Sequence, residues 1–305
     1  MVLRYSTACS MAASERVRQT VALLRRRGYA LPPRRVGELC LGGPVAEADV
    51  RWAVAAADGL ALAGNLVVDR SDLDRAPDIS RRAVAHMTDA GEYLEMTVAF
   101  IRRLVVVAPF IRSVSIAGSL ASGGFRASDD VDLNVIVDDG HRHLAYVAVN
   151  TLGILHAMSH RDKPVDHHTR RPVAPRLMTA NLILERSQCL PLHRQDEDMA
   201  FELLVAEPVF GIEALTEVID SNEPLLEHFP QLAARPAPLL IDQPAWRLPA
   251  AMFPRVLDGA ARALGEGAWN YMQWTRRRSP EALARVAYVR STMRPYALFD
   301  HPGSD

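Results

Sequence analysis

Apolar residues recur every three or four positions in some stretches of this chain and every second position in others, and the two periods predict its elements. Residues 14–27 have helical spacing: Val17, Val21 and Leu24 form a stripe, Gly28 ends it, and Ser14 is placed to cap it. Residues 36–40 and 46–57 predict two more helices, separated by the Gly42-Gly43-Pro44 break, and residues 60–69 predict a short β-wing. A polar stretch with Pro77 reads as a linker over 69–80. Residues 80–107 then predict a long helix interrupted near Gly91, with Met96, Phe100, Leu104 and Val107 turned toward a sheet.

Pro109 stops that helix and delivers the chain into the centre of the pattern. Residues 114–116 and 131–137 are rich in β-branched side chains and bounded by Gly, Ser and Asp, which predicts two strands joined by a Gly118-Ser119 turn, a short helix and a loop. A helix follows over 141–156, with Leu144, Val147, Leu152 and Leu155 inward, and a third strand over 177–185. Beyond Gln195 the chain reads as helical, over 198–206 closed by Pro208, over 211–221, over 253–278 and over 280–293. Trp269 and Met272 lie on the packed side of the third of these, which ends at Arg276-Arg277-Arg278. The basic run suits an anionic substrate or a helix C-terminus. The fold class expected is α/β of the α+β kind. A small mixed sheet occupies 76–190, with a helical, winged-helix-like part over 1–75 and a helical part over 191–305.

Composition narrows the function classes. With 305 residues, 49% of them apolar, the chain has ample material for a core, and a net charge of −1 gives no global reason to bind nucleic acid. Arg25, Arg26, Arg27, Arg34 and Arg35 form a local basic cluster beside the predicted wing. Surface arginines on a domain docked against the core is the favoured reading, ahead of DNA contact. Cys9, Cys40 and Cys189 show no metal-ligand spacing and suggest a reducing, cytoplasmic setting. No run approaches the roughly 18 apolar residues of a membrane span, and residues 1–20 lack the apolar stretch of a signal peptide. Asp166-His167-His168 is a weak metal motif, because adjacent loop residues seldom point at one ion; a mobile, solvated loop is expected there.

The chemistry gathers at the central strands. Side chains two apart on a strand point the same way, so Asp130 and Asp132 share a face. Two carboxylates about 4 Å apart repel by roughly 4 kcal/mol at an effective dielectric of 20, a cost that a cation between them removes. Hard oxygen ligands of this kind suit Mg²⁺, which takes one or two carboxylates together with substrate phosphates. Upstream, Gly118 admits close approach of a phosphate, Ser119 adds a hydroxyl, and the amides of a turn that opens a helix attract anions.

Gly118-Ser119, a spacer, and Asp130-Val131-Asp132-Leu133 resemble the signature of the nucleotidyltransferase superfamily. The surrounding Pro109–Ala121 and Asp129–Leu133 are similar to a group of prokaryotic nucleotidyltransferase-domain proteins with a helical, winged-helix-like N-terminal part. The resemblance implies transfer of an NMP group from an NTP to an acceptor, a small molecule being favoured, with Mg²⁺ or Mn²⁺ and release of pyrophosphate. It makes Asp130 and Asp132 the catalytic, metal-holding pair, and Gly118, Ser119, Arg126, Ser128 and Asp129 the nucleotide contacts. Many members carry a third carboxylate on the strand that corresponds to 177–185. Here that position falls to Asn181, on one face with Thr179 and Glu185, and an amide binds Mg²⁺ weakly and cannot act as a base. Glu185 lies roughly 13 Å along the strand from Asn181. Two other classes stay open: a nucleotide-sensing, DNA-binding regulator without turnover, and a toxin- or antitoxin-type interaction protein.

Overall fold

Helix α1 (Ala13–Arg26) begins the part of the chain that the computed structural model describes, which is residues 13–164, 177–234 and 236–277, with short stretches between 279 and 299. Because α1 starts at Ala13, Ser14 lies inside its first turn and is not its cap. Helices α2 (Pro33–Glu38) and α3 (Glu47–Ala56) follow, then a hairpin of β1 (Leu60–Ala63) and β2 (Leu66–Asp69) closed by Gly64 and Asn65. The stretch expected to be a linker is structured. Asp69 accepts the Ser71 amide to cap a 3₁₀ turn over Arg70–Arg75, and α4 (Ala76–Val107) starts at once with Pro77 in its first turn, where no N–H is needed. Helix α4 runs unbroken for 32 residues through Gly91. One glycine costs a helix about 1 kcal/mol, less than its buried Phe100 and Leu104 return at about 1.5–3 kcal/mol each.

The main sheet has the order β5-β4-β3-β6, from β3 (Ile111–Ala117), β4 (Val131–Val137), β5 (Met178–Glu185) and β6 (Glu207–Phe210). Strand β3 is antiparallel to β4 and β6, and β4 is parallel to β5, so the sheet is mixed. Strand β6 departs from the sequence reading, in which Pro208 closed a helix. Pro208 instead sits in an edge strand, where its missing N–H breaks no inner ladder.

Alternation along β4 sorts two cores. Val131, Leu133, Val135 and Val137 face α4 and α6 (Arg142–Ala157), with Phe100, Leu104, Tyr146 and Val149. Ile136, Leu182 and Leu184 face the other way, into a core that also holds Val17, Leu24 and Val50 of the first three helices. The same core takes Phe201 of α8 (Glu197–Val205) and Val218 of α9 (Ile212–Asp220). On α6 the buried positions are Ala145, Tyr146, Val149, Gly153 and Ala157, whereas Leu155, expected inward, is 57% exposed. Short helices α7 (Arg186–Cys189) and α10 (Glu223–His228) complete this side, and α11 (Leu257–Arg276) packs along α6.

A bulge interrupts β5. Leu133 pairs with Ala180 but Asn134 pairs with Leu182, which leaves Asn181 as the extra residue. One added residue reverses the alternation beyond it. Thr179 and Asn181 precede the switch, after which Leu182 and Leu184 hold their side and Glu185 turns to the opposite one. Thr179, Asn181 and Glu185 therefore do not share a face. No described helix is long and apolar enough to cross a membrane.

Candidate functional site

Antiparallel pairing sets Ala117 opposite Asp132, so the chain leaves β3 against the start of β4. The next residue, Gly118, has φ +62°, and a methyl group on it would overlap Asp132 Oδ2. Both the left-handed backbone and the contact demand glycine. Gly118 opens α5 (Gly118–Ser122), and Ser122 Oγ donates to the Gly118 carbonyl at 2.6 Å. Thr179 lies across the ladder from Asp132 and donates its hydroxyl to Asp132 Oδ1 at 2.8 Å. Asp130, half-buried, immediately precedes β4. The structure thus brings Gly118, Asp132 and Thr179 into contact, with Ser119 one residue after Gly118 and Asp130 two before Asp132.

The loop between α5 and β4 is fastened by one face of α4. Arg82 donates to the Gly124 carbonyl and, at 3.0 Å, to Asp129 Oδ2. His86 Nδ1 accepts the Phe125 amide at 3.3 Å, Asp89 accepts the Ala127 amide at 3.2 Å, and Tyr93 donates its hydroxyl to the Ala127 carbonyl at 3.1 Å. Steps of four, three and four residues line these side chains up on a helix. From the other side Lys163, buried, donates to the Asp129 carbonyl at 3.0 Å. An accepting Nδ1 requires neutral His86 with its proton on Nε2, and burial pushes the imidazole below its ordinary range in the same direction.

The residues expected to contact nucleotide separate within this frame. Asp129 fastens the loop: besides Arg82, its Oδ2 accepts the Arg126 amide at 3.2 Å and lies 3.4 Å from Ser119 Oγ. The Arg126 side chain is exposed, Ser128 is half-buried, and Ser119 is buried. Asn181 is not beside Asp132. Its amide donates to Asn134 Oδ1 and to Glu202 Oε1, each at 3.0 Å, while Asn134 also donates to Glu202 Oε1 at 3.0 Å. Glu185 stands at the far end of β5, where it accepts the Gly140 amide at 2.9 Å and caps α7. The β5 residue in register with Asp132 is Thr179, so neither Asn181 nor Glu185 supplies a third acid there.

Two participants were missed in the sequence. Tyr29, in the turn after α1, rests its ring against Gly124 under the Arg82 guanidinium, 5.6 Å away. Its hydroxyl bonds with Ser122; burial pushes the phenol up, the Ser122 bond and the Arg27 charge pull it down, and the charges of Glu202 and Asp132 push it up. Glu202, on α8, is 7% exposed and belongs to the same side of the sheet as Asp132. A charged residue inside Ala200-Phe201-Glu202-Leu203-Leu204 was the available signal for it.

As a metal site, Asp130 and Asp132 offer hard carboxylate oxygens, the donor type that suits Mg²⁺ or Mn²⁺. Among the described residues no three His, Cys, Asp or Glu side chains gather closely enough to hold an ion unaided, so substrate phosphates would complete the shell. Asp166-His167-His168 lies outside the described residues. At the end of α11 the Arg277 guanidinium covers the Trp274 ring at 4.7 Å. The basic cluster near the hairpin is internally paired: Arg25 with Asp72, Arg26 and Arg27 with Asp198, and Arg34 and Arg35 with Glu38.

No protein-family model, curated protein or solved structure matches this chain.

Proposed function

We propose that the chain is a metal-dependent nucleotidyltransferase that moves an NMP group from an NTP to a hydroxyl-bearing small molecule. One observation carries this reading: the left-handed turn at Gly118, which opens α5, is pressed against Asp132, two residues after Asp130, so a helix-opening turn and the acid-bearing strand adjoin. Asp130 and Asp132 would hold the ion, which when bound neutralises charge on the phosphates and the departing pyrophosphate. Gly118 admits the phosphates and Arg126, exposed on the loop, is free to turn toward them. The grip of α4 on residues 124–129 keeps the acids placed before substrate arrives, which removes an ordering cost from the reaction.

Among the described residues up to Arg75, three helices and a hairpin agree with a winged-helix-like unit, and the buried, free thiols of Cys40 and Cys189 fit a reducing, cytoplasmic setting. The carboxylate partners of the nearby arginines argue against that unit binding DNA. The test is pyrophosphate release with Mg²⁺ or Mn²⁺, each of the four ribonucleotides and a mixed acceptor pool. Release that disappears in the Asp130→Asn, Asp132→Asn double variant supports the proposal. Metal-dependent nucleotide binding without release moves the chain to the nucleotide-sensing class, and neither binding nor release removes the site.

A further inference from the structure

Helix α11 presents two apolar faces, and the fold covers one of them. Ala261 is buried, Gly265 lies against the Tyr146 and Phe299 rings, and Trp269 and Met272 pack on the core shared with α6. The other face carries Leu257, Ala260, Leu264, Gly267, Tyr271 and Trp274, all exposed. Their alternating steps of three and four residues are the a and d pattern of a coiled coil. Tyr271 and Trp274 stack on each other at 6.1 Å, so both rings are already ordered. Apart from its own stretch of helix, no described residue comes within 4 Å of where a Cβ on Gly267 would stand. The charged residues of α11 near the stripe are engaged elsewhere. Asp258 holds His143 and the start of α6, while Arg262 and Glu266, two residues either side of Leu264 and so on the far side of the helix, pair at 3.1 Å.

We infer that this stripe is the interface of a homodimer in which α11 packs antiparallel against α11 of a second copy. A two-fold axis makes such a contact reciprocal: where one residue meets a second, the second meets the first in return. With the axis midway between Gly265 and Glu266, all six members of the stripe find partners across the copies. Leu257 meets Trp274, Ala260 meets Tyr271, and Leu264 meets Gly267. Each small residue then faces a large one, which is how packed layers fill space. A parallel pair would instead set Gly267 on Gly267 and Ala260 on Ala260, leaving voids between crowded layers of Leu264 and Tyr271. The area agrees. Val256, beside the stripe, and Leu257, Leu264, Tyr271 and Trp274 are between 41% and 80% exposed. At about 150–250 Å² for a large side chain they offer on the order of 500 Å² per copy. With the alanines and glycines included, two copies reach the roughly 1,200 Å² at which specific interfaces begin, and a lone chain seldom leaves so large an apolar patch in water. A net charge of −1 puts little repulsion between the copies.

The experiment is the mass of the full-length chain by analytical ultracentrifugation over a concentration series. Wild type is expected to sediment as a dimer at high concentration and to dissociate on dilution. Leu264→Glu brings a charge to the middle of the interface from each copy and should weaken association by about 100-fold or more, with the helical circular dichroism unchanged. Glu266→Gln, on the far side of the helix, should leave association within about twofold. The orientation is read by oxidation. The double variant Leu257→Cys, Trp274→Cys should form a covalent dimer in excess of wild type, and neither single variant should. A wild type that stays monomeric at every concentration overturns the inference, and so does Leu264→Glu that dimerises like wild type. Crosslinking in the single variants, or its absence from the double variant, overturns the antiparallel pairing. All of these outcomes are independent of whether the chain transfers nucleotides.

Discussion

Strand β4 carries an aspartate pair at each end, and the two pairs live in different surroundings. Asp138 and Asp139, just past the strand, are used up by structure: Arg112 grips Asp138 through two hydrogen bonds of 2.6 and 2.8 Å, and Asp139 accepts the Ser187 amide at 2.9 Å. Asp132, at the other end, meets a glycine and a threonine hydroxyl, and the loop beside it is braced by a whole helix face. The same residue type at both ends of one strand therefore says little. Placement next to a close-approach glycine and a pre-held loop is what sets the Asp132 end apart.

Breaking that contrast begins with the acids. Asp130→Asn, Asp132→Asn is expected to lower metal-dependent pyrophosphate release by about 10³-fold, as several kcal/mol of charge stabilisation are lost. Asp138→Asn, Asp139→Asn should leave release within about twofold and cost about 1 kcal/mol of stability, the scale of exposed ion pairs. Similar losses at both ends in the pyrophosphate assay would end the distinction.

The next test uses two glycines with nearly the same backbone. Gly118 has φ +62° and touches Asp132, while Gly64 in the hairpin has φ +63° and open space around it. Gly64→Ala pays only the left-handed penalty, about 1–2 kcal/mol by chemical denaturation. Gly118→Ala should cost more than that and also weaken nucleotide binding; equal costs with binding preserved would mean that the contact carries no function.

Thr179→Val is a smaller change. It removes the donor to Asp132 Oδ1 and should cost about 1–3 kcal/mol in denaturant unfolding, with reduced metal affinity by titration calorimetry. The smallest effect expected is a pH dependence at His86. Burial lowers its folded-state pKa below the unfolded value of about 6.5, so the contribution of neutral His86 is fully present above that pH. It is lost as pH falls through the depressed folded value, because protonation removes the acceptor for the Phe125 amide. Thermal unfolding of His86→Gln should show a shallower loss from pH 7 to pH 5 than wild type.

The strand, turn, helix and strand from Val114 to Val137 were legible because β-branched runs, Gly118 and the Asp132 alternation are all local signals. The grip of α4 was half-legible: Arg82, His86, Asp89 and Tyr93 recur at helical spacing, but the loop they bind lies 30 or more residues away. The bulge at Asn181 was not legible, since it exists only in the pairing of two strands, and it misplaced Glu185 in the reading. Tyr29 and Glu202 are far apart in the chain, and only the core shared by their segments on that face of the sheet draws them together.

Because four side chains of one rigid helix hold residues 124–129, that loop cannot yield residue by residue. It is latched as a unit, and loosening any rung shifts the balance between latched and released for the whole segment. Helix α4, about 48 Å long at 1.5 Å per residue, carries the same latch back to the hairpin from which it springs. Asp72, which Arg25 holds, lies ten residues before Arg82, so the latch begins near the hairpin end of that helix.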